Sequence, residues 1–156
     1  MKILLDGNVY NKIEGNLSLI KMINKLSGDG AIEIVCNQVV LRELEKSRFL
    51  GIPDWFMVTK CNEPGAFIGL AIIAPNGSEN GFKKYAKIMP NNSTYSEHVG
   101  ISKKKSDGII ADTSSRECDV AVSEDNRFIN RLNEIQRKCK GMNFAEFYTL
   151  IIKLHS

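Results

Sequence analysis

Residues 103–132, KKKSDGIIADTSSRECDVAVSEDNRFINRL, form the stretch that decides the fold. The pattern predicts a helix, a short apolar strand at residues 120–123, and a second helix that begins directly after it. Asp107 lies in the first helix, and Asp125 follows the strand. Open α/β sheets bind their ligands beyond the carboxyl ends of the strands. We therefore expect Asp107 and Asp125 to join two acids from distant parts of the chain and to hold a divalent metal ion.

The N-terminal part of the chain predicts three more strands. Residues 2–5 (KILL) contain an uninterrupted apolar run that is typical of a buried central strand. Residues 31–36 form a second strand rich in β-branched residues. The helix between these strands is expected to break near its start at Gly15 and to end at the turn sequence of residues 27–30. Residues 55–59 are predicted to form a third strand.

Helices are predicted between these strands and at the end of the chain. Asn37 is expected to cap a helix from residue 38 to about residue 49, and residues 144–155 form a final apolar helix. Residues 66–74 are assigned to a helix, residues 80–90 to a short basic helix, and residues 139–143 to a turn or a last short strand. The alternation of strands and helices predicts a three-layer α/β/α sandwich around a mostly parallel sheet of four to five strands. We expect residues 1–156 to form a single domain.

The composition is that of an ordinary globular protein, with 43% hydrophobic and 25% charged residues. The longest apolar run, residues 66–74, is far shorter than the roughly 20 residues that a membrane-spanning helix needs. The apolar start of the chain meets Asp6 too early for a secretory signal. Its four cysteines show neither a CxxC pair nor a zinc-like spacing. These features predict free thiols, no membrane association and a cytoplasmic location.

Positive charge is concentrated in two segments. Residues 83–105 contain six lysines and one glutamate, and residues 127–140 contain five basic residues and one glutamate. Basic segments on either side of an acidic centre suit a polyanionic substrate. Solvated helix faces explain either segment, considered alone, at least as well.

Four acids are expected at the functional edge of the sheet. Asp6 follows the first strand, Glu43 lies on the apolar face of the helix after the second strand, and Asp107 and Asp125 belong to the stretch quoted above. The first strand and a much later one are neighbours where the strand order of a parallel sheet reverses, so Asp6 and Asp125 are expected to be adjacent. Converging carboxylates repel each other, and a bound cation is the usual reason that such a cluster is tolerated. Oxygen ligands without His or Cys favour Mg²⁺ or Mn²⁺ over zinc.

The chain resembles the PIN domain family, the nuclease fold of VapC-type toxins and of many RNA-processing enzymes. Residues 6–9 (DGNV) resemble its D-x-N-V opening, residues 104–111 (KKSDGIIA) its K-x-x-D-x-x-I-A helix, and residues 123–128 (SEDNRF) its T-x-D-x-x-F strand end. The tail at residues 143–147 (NFAEF) is similar to its closing segment. Gly7 replaces the usual Thr or Ser, and Ser123 replaces the usual Thr.

The resemblance implies an endoribonuclease that hydrolyses RNA phosphodiester bonds with Mg²⁺ or Mn²⁺. Asp6, Glu43, Asp107 and Asp125 are then the catalytic acids and the metal ligands. Asn8, Ser123 and Glu124 are expected beside them, and the expected RNA contacts are Lys103, Lys104, Lys105 and Arg127. RNA is the expected partner, with an antitoxin protein and a second copy of the chain as further candidates.

Simpler roles are open for each of these acids. Asp6 and Asp125 stand at positions typical of helix N-caps, and Glu43 suits a solvated or salt-bridged helix residue. Asp107 suits an ion pair with a lysine one turn earlier. Glu124 and Asp112 are interpreted as surface acids rather than as ligands.

Two other functions compete with the ribonuclease. A PIN-like module that has lost activity and binds RNA or a protein partner is the alternative. A phosphatase with Asp6 as nucleophile is disfavoured, because Asn8 stands where a second acid is needed. Trp55 is a candidate for base stacking, although packing against other side chains explains it better.

Overall fold

The computed structural model describes residues 1–61, 105–134 and 138–156. Within these residues, five strands form one all-parallel sheet in the order β3-β2-β1-β4-β5. The elements are β1 (Lys2–Leu5), α1 (Gly7–Ile13), α2 (Leu17–Gly28), β2 (Glu33–Cys36), α3 (Gln38–Lys46), β3 (Val58–Lys60), α4 (Lys105–Glu117), β4 (Val120–Val122), α5 (Asn126–Glu134), β5 (Lys140–Met142) and α6 (Phe144–His155).

Both faces of the sheet are covered by helices, which confirms the predicted three-layer α/β/α architecture. Successive strand residues point to opposite faces, yet Ile3, Leu4 and Leu5 are all fully buried. Helix α2 packs against α6, α4 packs against α5, and α3 contacts both α1 and α4. The uninterrupted apolar runs of the central strands therefore fit a sheet that is buried on both sides.

The strand order reverses beside β1. From β1 the chain proceeds through β2 to β3 and then returns to the other side of β1, where β4 pairs with it. Leu5 is aligned with Val122, and the Asp6 N–H donates to the Val122 carbonyl at 2.9 Å. This places the residues that follow β1 and β4 next to each other, at the point where open α/β sheets bind ligands.

Gly15 separates two N-terminal helices, as the sequence predicts. Its φ of +76° lies in the left-handed region that glycine adopts readily. The Asn16 side chain then accepts a hydrogen bond from the Leu19 N–H at 3.0 Å and starts α2. Asn37 starts α3 in the same way, accepting from the Val40 N–H at 2.9 Å.

Several predicted boundaries are too wide. The second strand begins at Glu33, and the third begins at Val58 rather than at Trp55. Trp55 and Phe56 instead precede β3, and their rings pack against each other with centroids 6.4 Å apart. Helix α3 ends at Lys46, and the residues after it form an irregular segment that becomes important below.

Two charged residues, Asp112 and Arg131, are buried. Asp112 is fully buried within α4. Its Oδ2 lies 3.5 Å from the Nε of Arg116, one helical turn away, and the Arg116 side chain is 4% exposed. Arg131 in α5 is also buried, so it does not add to a basic surface. The surface interpretation of Asp112 is therefore wrong, because α4 is covered on more sides than its sequence indicates.

Some predictions concern parts of the chain outside the described residues. These are the helices assigned to residues 66–74 and 80–90 and most of the first basic segment. Among the helices that the structure describes, none combines the length and the apolar character needed to cross a bilayer.

Candidate functional site

Four acidic side chains from four different parts of the chain line one pocket of about 280 Å³. Asp6 follows β1, Glu43 belongs to α3, Asp107 to the first turn of α4, and Asp125 to the segment between β4 and α5. The rest of the lining consists of Gly7, Asn8, Asn11, Leu44, Ser47, Phe49, Ile110 and Phe128. The pocket lies at the carboxyl ends of β1 and β4, so the four acids predicted to converge do line a common cavity.

The Asp6 carboxylate is held by three hydrogen bonds. Its Oδ1 accepts from the Gly7 N–H at 2.7 Å, which caps α1. Its Oδ2 accepts from the Asn8 Nδ2 at 2.8 Å and from the Ser123 hydroxyl at 2.6 Å. The cap that the simpler interpretation of Asp6 expects is thus present, but it uses only one of the two oxygens.

Burial raises the pKa of the Asp6 carboxyl above its ordinary value of 3.8. Hydrogen bonds from Ser123, Gly7 and Asn8 oppose this shift, and the nearby charge of Asp125 adds to it. The ionised carboxylate is therefore costly at this position. A cation bound in the pocket would lower that cost.

Ser123 and Asn8 connect the two strand ends. Ser123 is fully buried, donates to Asp6, and accepts from the Asp125 N–H at 3.0 Å. Asn8 donates to Asp6 through Nδ2, and its Oδ1 accepts from the Glu124 N–H at 3.2 Å. The two residues therefore set both the orientation of the Asp6 carboxylate and the path of the backbone into Asp125.

Asp125 also combines two features. Its Oδ1 accepts from the N–H groups of Arg127 at 2.9 Å and Phe128 at 3.3 Å, so it caps α5. Within the described residues its Oδ2 accepts no hydrogen bond, and this oxygen is the one left for a ligand.

Glu43 and Asp107 complete the acidic lining from the helices. Glu43 is exposed on α3, and its Oε2 lies 3.0 Å from where a Cβ on Gly7 would be. Asp107 is partly exposed near the start of α4, where a negative charge is favourable because of the helix dipole. Helices α3 and α4 are in contact, and both acids line the pocket.

The donor set fits Mg²⁺ or Mn²⁺ by its chemistry, since it consists of carboxylate and amide oxygens. Within residues 1–61, 105–134 and 138–156, the side chains do not form a group of three or more Asp, Glu, His or Cys residues that could hold an ion. Magnesium is commonly held by one or two carboxylates together with water molecules. Glu43 is exposed and Asp107 is half-buried, and Asp6 is held in place by its hydrogen bonds.

Other predicted site residues lie away from this cluster or outside the described part. Glu124 Oε1 accepts from the Phe144 N–H at 3.0 Å and its Oε2 lies 3.6 Å from Lys12 Nζ, so this carboxylate joins the start of α6 rather than lining the pocket. Arg127 is exposed in the first turn of α5. Lys103, Lys104 and the side chain of Lys105 fall outside the described residues.

Sequence reasoning overlooked the segment after α3. Ser47 and Phe49 line the pocket together with the acids. The available signal was an aromatic residue placed shortly after the helix that carries Glu43. It was missed because α3 was predicted to continue as far as Phe49.

Comparison with known proteins identifies no relative of this chain. No protein-family model, curated protein or solved structure matches the chain. The likeness to PIN domains accordingly stays a prediction based on motifs.

Proposed function

We propose that this protein is a Mg²⁺- or Mn²⁺-dependent endoribonuclease of the PIN type, with Asp6, Glu43, Asp107 and Asp125 as metal ligands. The observation that carries the proposal is the convergence of these four carboxylates, from residue 6 to residue 125, on one pocket at the reversal point of the sheet. Converging like charges destabilise a fold. A cation-dependent function is the simplest reason to keep them together.

The bound ion would supply a water of lowered pKa and stabilise charge on a phosphorus centre. The chain contributes orientation, because Ser123 and Asn8 hold the Asp6 carboxylate in one rotamer. These contributions suit the hydrolysis of a phosphodiester bond.

RNA is the proposed substrate, and the chain's net charge of +3 favours a polyanion. Arg127, exposed in the first turn of α5, is the proposed phosphate contact within the described residues. Lys103, Lys104 and Lys105 keep the same proposed role. A cytoplasmic location, an antitoxin partner and a homodimer belong to the same proposal.

The decisive experiment compares Asp6→Asn with Asp29→Asn, a matched change at an exposed position at the end of α2. With Mn²⁺ or Mg²⁺, wild-type protein and Asp29→Asn should cut RNA, and Asp6→Asn should cut at least about a hundredfold more slowly. EDTA should stop all cleavage. Equal cutting by Asp6→Asn, or cutting in EDTA, would contradict the proposal.

Thermal unfolding provides a second readout. Mn²⁺ should raise the Tm of the wild type and of Asp29→Asn, because a ligand that binds only the folded state stabilises it. It should leave Asp6→Asn nearly unchanged. The Tm of each protein without metal serves as its own baseline, because Asp6→Asn both removes a desolvated charge and replaces one oxygen acceptor by an amide donor.

The alternative is a PIN-like module without catalytic activity that binds RNA or a protein partner. It is favoured by the side-chain arrangement, in which no three acids of the described residues are grouped to hold an ion, and by Gly7, which replaces the usual Thr or Ser. RNA binding without any Mn²⁺-dependent rise in Tm would support this alternative and exclude the nuclease.

A further inference from the structure

We propose that Phe49 is the stacking surface for one unpaired RNA base beside the acidic pocket. This inference rests on the proposed ribonuclease function and names a base-contacting residue of the same site.

The first observation is the position and exposure of the Phe49 ring. Four apolar side chains line the described part of the pocket, and three of them are buried: Leu44, Ile110 and Phe128 are 1%, 2% and 5% exposed. Phe49 alone among the four is partly exposed. An aromatic surface therefore borders the cavity that the carboxylates line.

The second observation is that Phe49 is held in place before any ligand binds. Its N–H donates to the Ser47 hydroxyl at 3.1 Å, and that hydroxyl donates to the last turn of α3 at the Leu44 carbonyl at 2.7 Å. The Trp55 ring meets the Phe49 ring edge-to-face, with centroids 5.5 Å apart and planes at 88°. A side chain that is already ordered loses little entropy when a base stacks on it.

The third observation is the cation above the same ring. The Arg48 guanidinium carbon lies 5.2 Å from the Phe49 ring centroid, and Arg48 also forms an ion pair with Glu14. Its side chain is 61% exposed. The guanidinium covers one face of the ring, so a base would stack on the other face or on the guanidinium plane itself, and the exposed cation would meet the phosphate.

The backbone after Phe49 is also unusual. Leu50 has a φ of +54°, which is uncommon for a residue with a branched side chain, and it is 83% exposed. Strained backbone of this kind persists where the surroundings hold it, often at ligand sites. Here it leaves the apolar side chain of the residue that follows Phe49 exposed.

These features favour an unpaired base over duplex RNA. In an A-form helix the base faces are stacked on each other, and aromatic side chains reach only bases that are splayed out. Every base has a face that can stack, so the contact gives little sequence preference. The inferred role of Phe49 is therefore to hold one nucleotide next to the carboxylates, while the carboxylates act on the backbone beside it.

The chain offers a built-in probe, because its single tryptophan, Trp55, touches Phe49. A base on Phe49 should change the tryptophan emission when a phosphorothioate single-stranded oligonucleotide is titrated with Mg²⁺ present. We expect Phe49→Leu, which keeps the apolar bulk, to bind this oligonucleotide about tenfold to a hundredfold more weakly. Phe49→Tyr should bind like the wild type, and so should Tyr148→Ala, a partly buried aromatic outside the pocket.

A series of oligonucleotides with an abasic site at each position in turn separates stacking from a structural role. At one position, removing the base should weaken binding to the wild-type protein by the same factor as Phe49→Leu weakens binding to the intact oligonucleotide. The wild type and Phe49→Leu should bind this abasic oligonucleotide equally well. If Phe49→Leu leaves binding unchanged, or weakens binding to every abasic oligonucleotide as much as to the intact one, the inference is wrong. A blunt-ended duplex without unpaired bases, bound as tightly as the single strand, would also overturn it.

Metal titration separates this inference from the proposed function. If Mn²⁺ still raises the Tm and cleavage still depends on Asp6, a negative result with Phe49 overturns the stacking role alone. If Mn²⁺ has no effect while Phe49-dependent binding is observed, the nuclease proposal fails and the base site stands.

Discussion

The hydroxyl of Ser123 donates a 2.6 Å hydrogen bond to the carboxylate of Asp6, across two neighbouring parallel strands. Ser123 is fully buried and also accepts from the Asp125 N–H at 3.0 Å. One small side chain therefore connects two of the four acids. This contact links the stability of the sheet edge to the charge state of the site.

Ser123→Ala should lower the free energy of unfolding by about 2 kcal/mol, because a hydrogen bond to a charged, partly buried acceptor is lost. It should also raise the pKa of Asp6 further, since the Ser123 hydrogen bond opposes the effect of burial. Denaturant unfolding measures the first effect, and the acid limb of the cleavage-versus-pH profile, moved to higher pH, measures the second. Thr149→Ala, which removes an exposed hydroxyl bonded to its own helix, should change neither.

Gly7 and Glu43 are so close that a side chain on Gly7 must move the glutamate. A Cβ there would lie 3.0 Å from Glu43 Oε2 and 3.5 Å from its Cβ. Because the nearer atom ends a flexible side chain, Gly7→Ala should leave the free energy of unfolding within about 1 kcal/mol of the wild type. It should weaken Mn²⁺ binding, measured by calorimetry, by displacing one ligand.

Gly28→Ala is the matched control for this change, because nothing lies within 4 Å of its added Cβ. It should stabilise the protein by about 0.5–1 kcal/mol by restricting the unfolded chain and should leave Mn²⁺ affinity unchanged. Equal Mn²⁺ affinity for Gly7→Ala and Gly28→Ala would show that Glu43 does not contribute to metal binding.

Asp119, at the end of the sheet opposite the pocket, should make the free energy of unfolding depend on pH. The Lys138 ammonium, 2.8 Å away, and the Lys2 N–H, also at 2.8 Å, hold the pKa of its carboxyl below the ordinary value of 3.8. The unfolded chain binds more protons than the folded one in this acidic range. The stabilisation is therefore complete above pH 3.8 and is lost as the pH falls through the folded-state pKa.

Asp119→Asn should accordingly lower the free energy of unfolding at pH 7 by about 0.5–1 kcal/mol, a value limited by the exposure of Lys138. The difference from the wild type should shrink in acid and should fall at pH 7 when salt screens the ion pair. Urea unfolding at a series of pH values tests this. A difference that is constant down to pH 2 would mean that the carboxylate charge has no part in it.

The buried pair Asp112–Arg116 predicts the largest loss of stability. Asp112 is fully buried, and the side chain of Arg116 is 4% exposed. Asp112→Ala should lower the free energy of unfolding by about 3 kcal/mol, because it leaves the guanidinium buried without this carboxylate. Asp29→Ala, at an exposed acid, should cost less than about 0.5 kcal/mol. Adding Arg116→Met should restore part of the loss, and failure of the double change to do so would argue against the pair.

Much of the fold could be predicted from local sequence. The apolar run at residues 3–5 indicated a strand covered on both faces, and these residues are fully buried. Gly15 and Asn37 marked a helix break and a helix start, because a positive φ and a side-chain cap are local requirements. Such features depend on the residue and its neighbours in the sequence, so they can be predicted without knowledge of the rest of the chain.

The sequence by itself also determined the residue types of the site, since Asp6 and Asp125 directly follow apolar strands. Only the tertiary structure decided which of these groups meet. It brought Ser123 to Asp6, turned Glu124 towards the start of α6, buried Asp112 and placed Phe49 beside the acids. The physical reason is that a local pattern reports whether a residue is covered, whereas its partner depends on strand order and on helix packing between segments that are distant in the sequence.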